Sequence, residues 1–276
     1  MKVAHFYPGL RYKSAEMKRE IFSDREVQQK LLIASAVLGR DVAALCQTQE
    51  AFASTRECLV ASLAASVAVG TYYLQRYGQP DVILASSFGH YAALVMANAL
   101  PYAEALMLAS NNGRIFDDYF ANFSTWLVSG IPFTVLKQLE DQGILVSYAD
   151  GLTLTFPRTV QRDIERYIRE RRGIAAEIPL RLKYHSEYMG AAEKLTGRNL
   201  IGLRVRSPQV PFLSTYYSDF VRSPEAIIAM LGNLLSGDHY LEETMAIIRR
   251  EGIIRTVHMQ TSSFREHQIE EADGRN

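Results

Sequence analysis

The stretch from Asp81 to Leu94 constrains this chain more than any other, because an apolar strand, Asp81-Val82-Ile83-Leu84, runs into a serine turn and emerges as a helix at Gly89. In a nucleophile elbow the turn is so tight that the residues two before and two after the serine must be small, which is why such elbows read G-x-S-x-G. Ala85 and Gly89 meet that demand around Ser87. The helix that follows aims its first N–H groups and the positive end of its dipole back at the serine, where a developing oxyanion would be stabilised. The same string also suits an ordinary strand-to-helix turn, so its chemistry depends on what the rest of the chain brings to it.

With 276 residues the chain can bury a full core, as one large α/β domain or a main domain with a smaller insertion. Lys and Arg number 30 and Asp and Glu number 30, so the formal charge is zero and no global field draws nucleic acid or an anionic membrane. Any partner must be recognised locally. Cys46 and Cys58 lack the paired spacing of a disulfide framework or a zinc site and are expected to be buried free thiols in a reducing cytoplasm. The apolar run at the N-terminus is too short for a signal peptide, and no segment is expected to reach the length of a membrane span. The expected location is the cytoplasm, and the expected state a monomer.

Val3 to Phe6 reads as a short buried strand stopped by Tyr7-Pro8-Gly9. Apolar residues recur at helical spacing over 14–39 and 55–77, residues 89–99 continue as the helix after the serine turn, and another helix runs over 102–116. The texture then changes. Residues 125–128 read as a strand, 132–142 as a helix, 144–148 and 152–156 as strands around an Asp-Gly turn, 160–172 as a charged amphipathic helix and 175–182 as a strand. That order, β-α-β-β-α-β, is the ferredoxin-like split unit, placed as an insertion over 124–182. The rest returns to α/β texture, with a helix over 189–195, a strand over 210–214, helices over 224–235 and 240–251, a strand over 254–259 and a polar, frayed tail over 266–276. The expected fold class is α/β, a core over 1–123 and 183–276 interrupted by the smaller unit.

A serine nucleophile needs a base, and among six histidines His185 has the most telling surroundings, in Lys183-Tyr184-His185-Ser186-Glu187-Tyr188-Met189. It stands where the insertion hands the chain back to the core, a junction where clefts form. His5, His90, His239, His258 and His267 have weaker claims.

These two motifs, in this order and around this insertion, resemble the acyltransferase family of malonyl-CoA:acyl-carrier-protein transacylases and polyketide synthase acyltransferases. The family's opening F-P-G-Q-G turn is matched by Phe6-Tyr7-Pro8-Gly9-Leu10, with one extra residue and no glutamine. Its G-H-S-x-G-E-Y elbow is matched by Ala85-Ser86-Ser87-Phe88-Gly89-His90-Tyr91. Its H-S-x-x-M and A-A-x-x-L are matched by His185-Ser186-Glu187-Tyr188-Met189 and Ala191-Ala192-Glu193-Lys194-Leu195, and its late P-x-x-P-F-x-S strand by Pro208-Gln209-Val210-Pro211-Phe212-Leu213-Ser214.

The resemblance implies an α/β-hydrolase-like core in a free-standing acyltransferase. Ser87 would take the acyl group from a thioester, and His185 would serve as base and then acid. The main-chain N–H groups of Phe88 and Leu10 would form the oxyanion hole. A carbonyl near Met259-Gln260 would orient His185, although the family's G-P-G element is missing from Thr261-Ser262-Ser263-Phe264. The substrate would be acyl-CoA or a phosphopantetheine thioester, with no bound cofactor and no metal, and the partner an acyl carrier protein.

Departures from the family bear on the acyl group. Malonyl-specific members carry an arginine directly before a glycine on the helix after the elbow helix, where its guanidinium grips the malonyl carboxylate. Here the pair is Asn112-Gly113, and Arg114, two positions on, points about 200° away. A neutral acyl group is therefore expected, with Asn112, Lys183, Tyr184, Ser86 and His90 as the residues around it, and Lys183 as the one displaced cation. Two rival functions fit the same residues: an editing hydrolase that clears acyl carrier proteins, and a non-catalytic relative that docks on them.

Overall fold

The computed structural model describes residues 2–10, 17–48, 51, 53–147, 152–178, 187–234, 236–237, 239–259 and 266–268. It begins with β1 (Lys2–Tyr7), whose last four residues are buried. Periodicity alone predicts one helix over 14–39, whereas α1 (Arg19–Phe22) and α2 (Arg25–Leu38) are separate. The break is local: Asp24 is extended, and its carboxylate accepts from the N–H groups of Glu26 and Val27, which starts α2 afresh.

After α3 (Val42–Leu45) comes α4 (Thr55–Tyr77), as the spacing predicts, with Ser54 accepting from the Glu57 N–H at its start. By length and composition this helix could cross a membrane, which corrects the expectation that no segment reaches that length. Its most apolar window is 78% buried inside the fold, the pattern of a core helix. β2 (Val82–Ala85) is wholly buried and leads through the serine turn into α5 (Gly89–Met96), followed by α6 (Tyr102–Tyr119).

A second sheet occupies the middle of the chain. It is built from β3 (Phe123–Ser129), α7 (Phe133–Lys137), β4 (Leu145–Ser147), β5 (Thr153–Pro157), α8 (Gln161–Glu170) and β6 (Ile174–Ile178). The strands run antiparallel in the order β4-β5-β3-β6. Trp126, Leu154 and Phe156 pack with Ile164 and Ile168 of α8 into a core of their own.

The chain then returns through α9 (Glu187–Thr196), β7 (Phe212–Ser214), β8 (Asp219–Phe220), α10 (Pro224–Leu231), α11 (Leu241–Arg250), β9 (Ile253–His258) and β10 (Glu266–Gln268). The first sheet runs β10-β9-β1-β2-β7-β8, parallel from β9 to β7 and antiparallel at both edges. β10 corrects the expected frayed tail over 266–268, and 269–276 lie outside the described residues. Its pairing with Arg255, Thr256 and Val257 satisfies the outer backbone of β9, a gain that a polar sequence without apolar alternation does not advertise.

Both faces of this sheet are covered, which is why its strands read as continuous apolar runs. Tyr7, Ile83 and Ala85 face the large core with α2, α4, α5 and α6, while Ala4, Phe6, Val82 and Leu84 face Ile248 of α11. Cys46 and Cys58 are buried free thiols, and burial is the main cause that pushes both up to about 12. The strand register sets Tyr7, Ala85 and Ser214 side by side at the carboxyl edge, with His258 next to Phe6. In open parallel sheets that edge is where ligands bind.

Candidate active site

Tyr7, Pro8 and Gly9 cross directly over the turn that follows β2. A Cβ on Gly89 would stand 2.1 Å from the Tyr7 carbonyl oxygen and 2.4 Å from that of Pro8, and one on Gly9 would stand 2.9 Å from Ser87 Cβ. Both positions lack a side chain because two stretches of backbone pass at contact distance. The Ser86 N–H donates to the Tyr7 carbonyl at 3.0 Å and joins the two turns.

Ser87 has a φ of 48°, in the left-handed region that a β-carbon disfavours. Holding it there costs about 1–3 kcal/mol, which the surrounding structure must offset. The Gly89 and His90 N–H groups donate to the Ser86 and Ser87 carbonyls at 2.9 and 3.1 Å, so α5 starts immediately behind the serine. A strained serine between a buried strand and a helix start is the geometry that the sequence pattern around Ser87 predicts.

Among the described residues, two imidazoles stand at this turn. His90 is fully buried, with Nδ1 2.7 Å from the Ser87 carbonyl oxygen and Nε2 2.8 Å from Ser214 Oγ. Both of its ring nitrogens are thus engaged by protein groups. His239 was among the weaker candidates in the sequence, yet its Nδ1 lies 3.4 Å from the Ser87 N and 2.8 Å from Thr215 Oγ1, and its Nε2 lies 3.1 Å from the Leu234 carbonyl oxygen. The two rings are 5.6 Å apart. Nothing in the local sequence marks His239, because β7 has to bring Thr215 beside Ala85 before the contact exists, through the Thr215 N–H to Ala85 carbonyl bond at 3.1 Å.

Asn112 is buried, and its amide is engaged at both ends: Nδ2 donates to Tyr91 Oη at 3.3 Å, and Oδ1 accepts from Asn199 at 2.7 Å. Burial pushes the Tyr91 hydroxyl above its ordinary range against the opposing effect of that bond, so Tyr91 stays neutral. The neighbouring Gly113 lets α6 close on α4, since a Cβ there would stand 2.4 Å from the Arg56 Cα. The ring of Phe88 stacks on Tyr91 at 4.7 Å, and Leu10 is buried in the large core.

Lys183, Tyr184 and His185 lie outside the described residues, as does Gln260. Their flanks are anchored. Met189 and Ala192 of α9 are fully buried, and the Met259 N–H donates to the Phe6 carbonyl at 2.8 Å. The Glu193 carboxylate, not singled out in the sequence, accepts from the N–H of Ser236 at 3.0 Å and from its hydroxyl, tying α9 to the segment that carries His239.

No protein-family model matches the chain. The malonyl CoA-acyl carrier protein transacylase of Bacillus subtilis (strain 168) is 23% identical over 267 residues, covering 91% of this chain and 84% of that protein. The pikromycin polyketide synthase component PikAIII of Streptomyces venezuelae is 28% identical over 150 residues, 52% of this chain but only 10% of that much longer protein. Among solved structures, that of PlMCAT:AntF (holo), a type II PKS acyl-carrier protein in complex with its malonyl-transacylase, superimposes with a TM-score of 0.77 at 22% identity, over 95% of this chain and 90% of that one. The chain's relatives and structural neighbours are thus malonyl-CoA:acyl-carrier-protein transacylases and polyketide acyltransferases, matched along nearly its whole length at low identity.

Proposed function

We propose that this protein is an acyl-carrier-protein acyltransferase of polyketide or fatty-acid biosynthesis, acting in the cytoplasm as a monomer through an acyl-Ser87. The observation that carries it is the left-handed Ser87 at the carboxyl edge of a parallel sheet, with Gly9 against it and α5 starting behind it. The relatives' transacylase names and the carrier protein in the neighbouring complex support the same class of reaction. In this scheme residues 1–123 and 183–276 form an α/β-hydrolase-like core. Residues 124–182 form a ferredoxin-like subdomain, supported by its strand order β4-β5-β3-β6.

Ser87 Oγ attacks the thioester carbonyl carbon of acyl-CoA or acyl carrier protein while His185 accepts its proton. The oxygen that becomes negative is met by the N–H groups of Phe88 and Leu10. Main-chain donors do this whatever the side chain, so the glutamine missing after Gly9 is dispensable. The C–S bond then breaks, and His185 returns the proton to the leaving thiolate. In the second half-reaction the phosphopantetheine thiol of a carrier protein gives its proton to His185 and attacks the ester, and Ser87 is released with its proton restored. A carbonyl near Met259-Gln260 orients His185.

The acyl group is neutral. Asn112 supplies no cation for a malonyl carboxylate, and burying that carboxylate unpaired would cost several kcal/mol. Lys183, Tyr184, Ser86 and His90 are assigned with Asn112 to binding the acyl group, and Lys183 is the cation that would have to stand in were malonyl the substrate.

Intact-protein mass spectrometry with a panel of acyl thioesters tests this. Wild type should gain the mass of a neutral acyl group in preference to malonyl, Ser87→Ala should gain nothing, and carrier protein should discharge the adduct to acyl-carrier protein. Efficient malonyl loading would overturn the specificity. Predominant free acid at saturating carrier protein would make the enzyme a hydrolase, and no adduct from any thioester would leave a docking relative.

A further inference from the structure

Every polar atom of the Ser87 peptide backbone is met by an imidazole, and the two rings must hold their protons on opposite nitrogens. The Ser87 carbonyl can only accept, so His90 must carry its proton on Nδ1, the nitrogen 2.7 Å away. Its Nε2 is then left to accept the Ser214 hydroxyl proton, for which Met230 Sδ at 3.3 Å is the weaker competing acceptor, and Ser214 Oγ accepts from the Tyr216 N–H at 3.1 Å. The Ser87 N–H can only donate, so His239 must leave Nδ1 bare towards it and towards the Thr215 hydroxyl, and its proton sits on Nε2, donating to the Leu234 carbonyl. Ser214 and Thr215, whose hydroxyls meet the two rings, are consecutive residues at the end of β7, which is itself paired to β2 ahead of the serine. One strand end therefore indexes both rings against one strained residue.

We infer that His239 and His90 are positioning residues of opposite tautomer that grip the Ser87 peptide from its N–H and C=O sides and so hold Oγ on its line of attack. His239 is the more exposed of the two and stands between Ser236, held by Glu193, and Tyr240, whose N–H donates to the Thr215 carbonyl at 2.8 Å. In this role it acts on the Ser87 N–H and not on Oγ or substrate. Its effect passes through the φ of Ser87, and a nucleophile displaced by a fraction of an ångström loses rate without losing affinity.

The inference rests on Ser87 being a nucleophile, but not on which acyl group it carries, and of the two measurements that test it the first needs no reaction at Ser87. The first is the ¹⁵N NMR of the imidazoles in wild-type protein near neutral pH, which should show His239 protonated on Nε2 alone and His90 carrying its proton on Nδ1. The second is the rate at which a fluorophosphonate probe labels Ser87 at saturation, together with acylation by whichever thioester loads wild type. His239→Leu should slow both about 10- to 100-fold with the half-saturating concentration little changed. His239→Asn, which returns an acceptor oxygen near the place of Nδ1, should recover to within about threefold of wild type. A His239 proton on Nδ1, wild-type labelling rates in His239→Leu, or no recovery in a folded His239→Asn would each overturn the inference. If His239→Leu does not fold, the tautomers and the asparagine variant still decide. Labelling of wild type by fluorophosphonate but by no thioester would instead remove the acyl-transfer function and leave the grip on Ser87 standing.

Discussion

Ser87 combines a strained backbone with a place at the carboxyl edge of the first sheet. Glycine adopts a φ of 48° without penalty and alanine does not, so the two replacements that remove the hydroxyl should differ in stability. Ser87→Gly is expected to exceed Ser87→Ala by about 1 kcal/mol in urea denaturation, the strain relieved being partly offset by the greater freedom of glycine in the unfolded chain. Equal midpoints would mean that the turn relaxes and stores no strain. His5 gives a second residue-scale expectation. Burial, helped by the charge of Arg255, lowers its pKa from 6.5 to about 4. Between those values the unfolded chain binds a proton that the native chain excludes, so stability falls as pH drops from 6.5 towards 4 and is not lost further below that. The span corresponds to ~3 kcal/mol at most. Comparing the pH dependence of wild type with that of His5→Leu isolates it, and parallel curves would show that His5 takes up its proton equally readily in the folded and unfolded chains.

Among the elements, glycines separate packing constraint from conformational freedom. Gly113 on α6 lies against the first turn of α4, and a methyl group there meets backbone at 2.4 Å, which cannot move aside without parting the helices. Gly113→Ala should destabilise by about 1–3 kcal/mol. Among the described residues Gly190 on α9 has nothing within 4 Å of its missing Cβ, so Gly190→Ala should stabilise by about 0.5–1 kcal/mol through helix propensity and lost unfolded-state freedom. Opposite signs in thermal or urea denaturation check the pair, and destabilisation of both would place α9 against a surface that these contacts do not show. The elements themselves were largely legible. α4, β2, α6 and the β-α-β-β-α-β run are fixed by local periodicity and by Gly, Pro and Asp punctuation, which act within a few residues. The division of α1 from α2 was missed although Asp24 announces it, because the apolar spacing continues on both sides of the cap.

At the scale of the whole molecule, the carboxyl edge of the first sheet collects residues that are far apart in sequence: Gly9, Ser87, Ser214, Thr215 and His239. If that edge is the working site, a neutral thioester that acylates Ser87 should raise the thermal midpoint of wild type but not that of Ser87→Ala, since covalent occupancy stabilises only the native state. An equal rise in both would point to binding elsewhere. The sequence by itself determined the strand, the serine turn and the helix, the small residues that such a turn demands, and the order of the two sheets' elements, because each depends on the sterics and periodicity of neighbouring residues. It also carried the resemblance on which the relatives agree. What only the tertiary structure decided was the company that Ser87 keeps. His90 turned inward to Ser214, Asn112 engaged Tyr91 and Asn199, and His239 arrived from 152 positions away to accept from the Ser87 N–H. Such contacts have no sequence period, since they follow from where β7 docks beside β2 and where the chain beyond it returns, and a histidine's role is set by the hydrogen bonds that docking makes available.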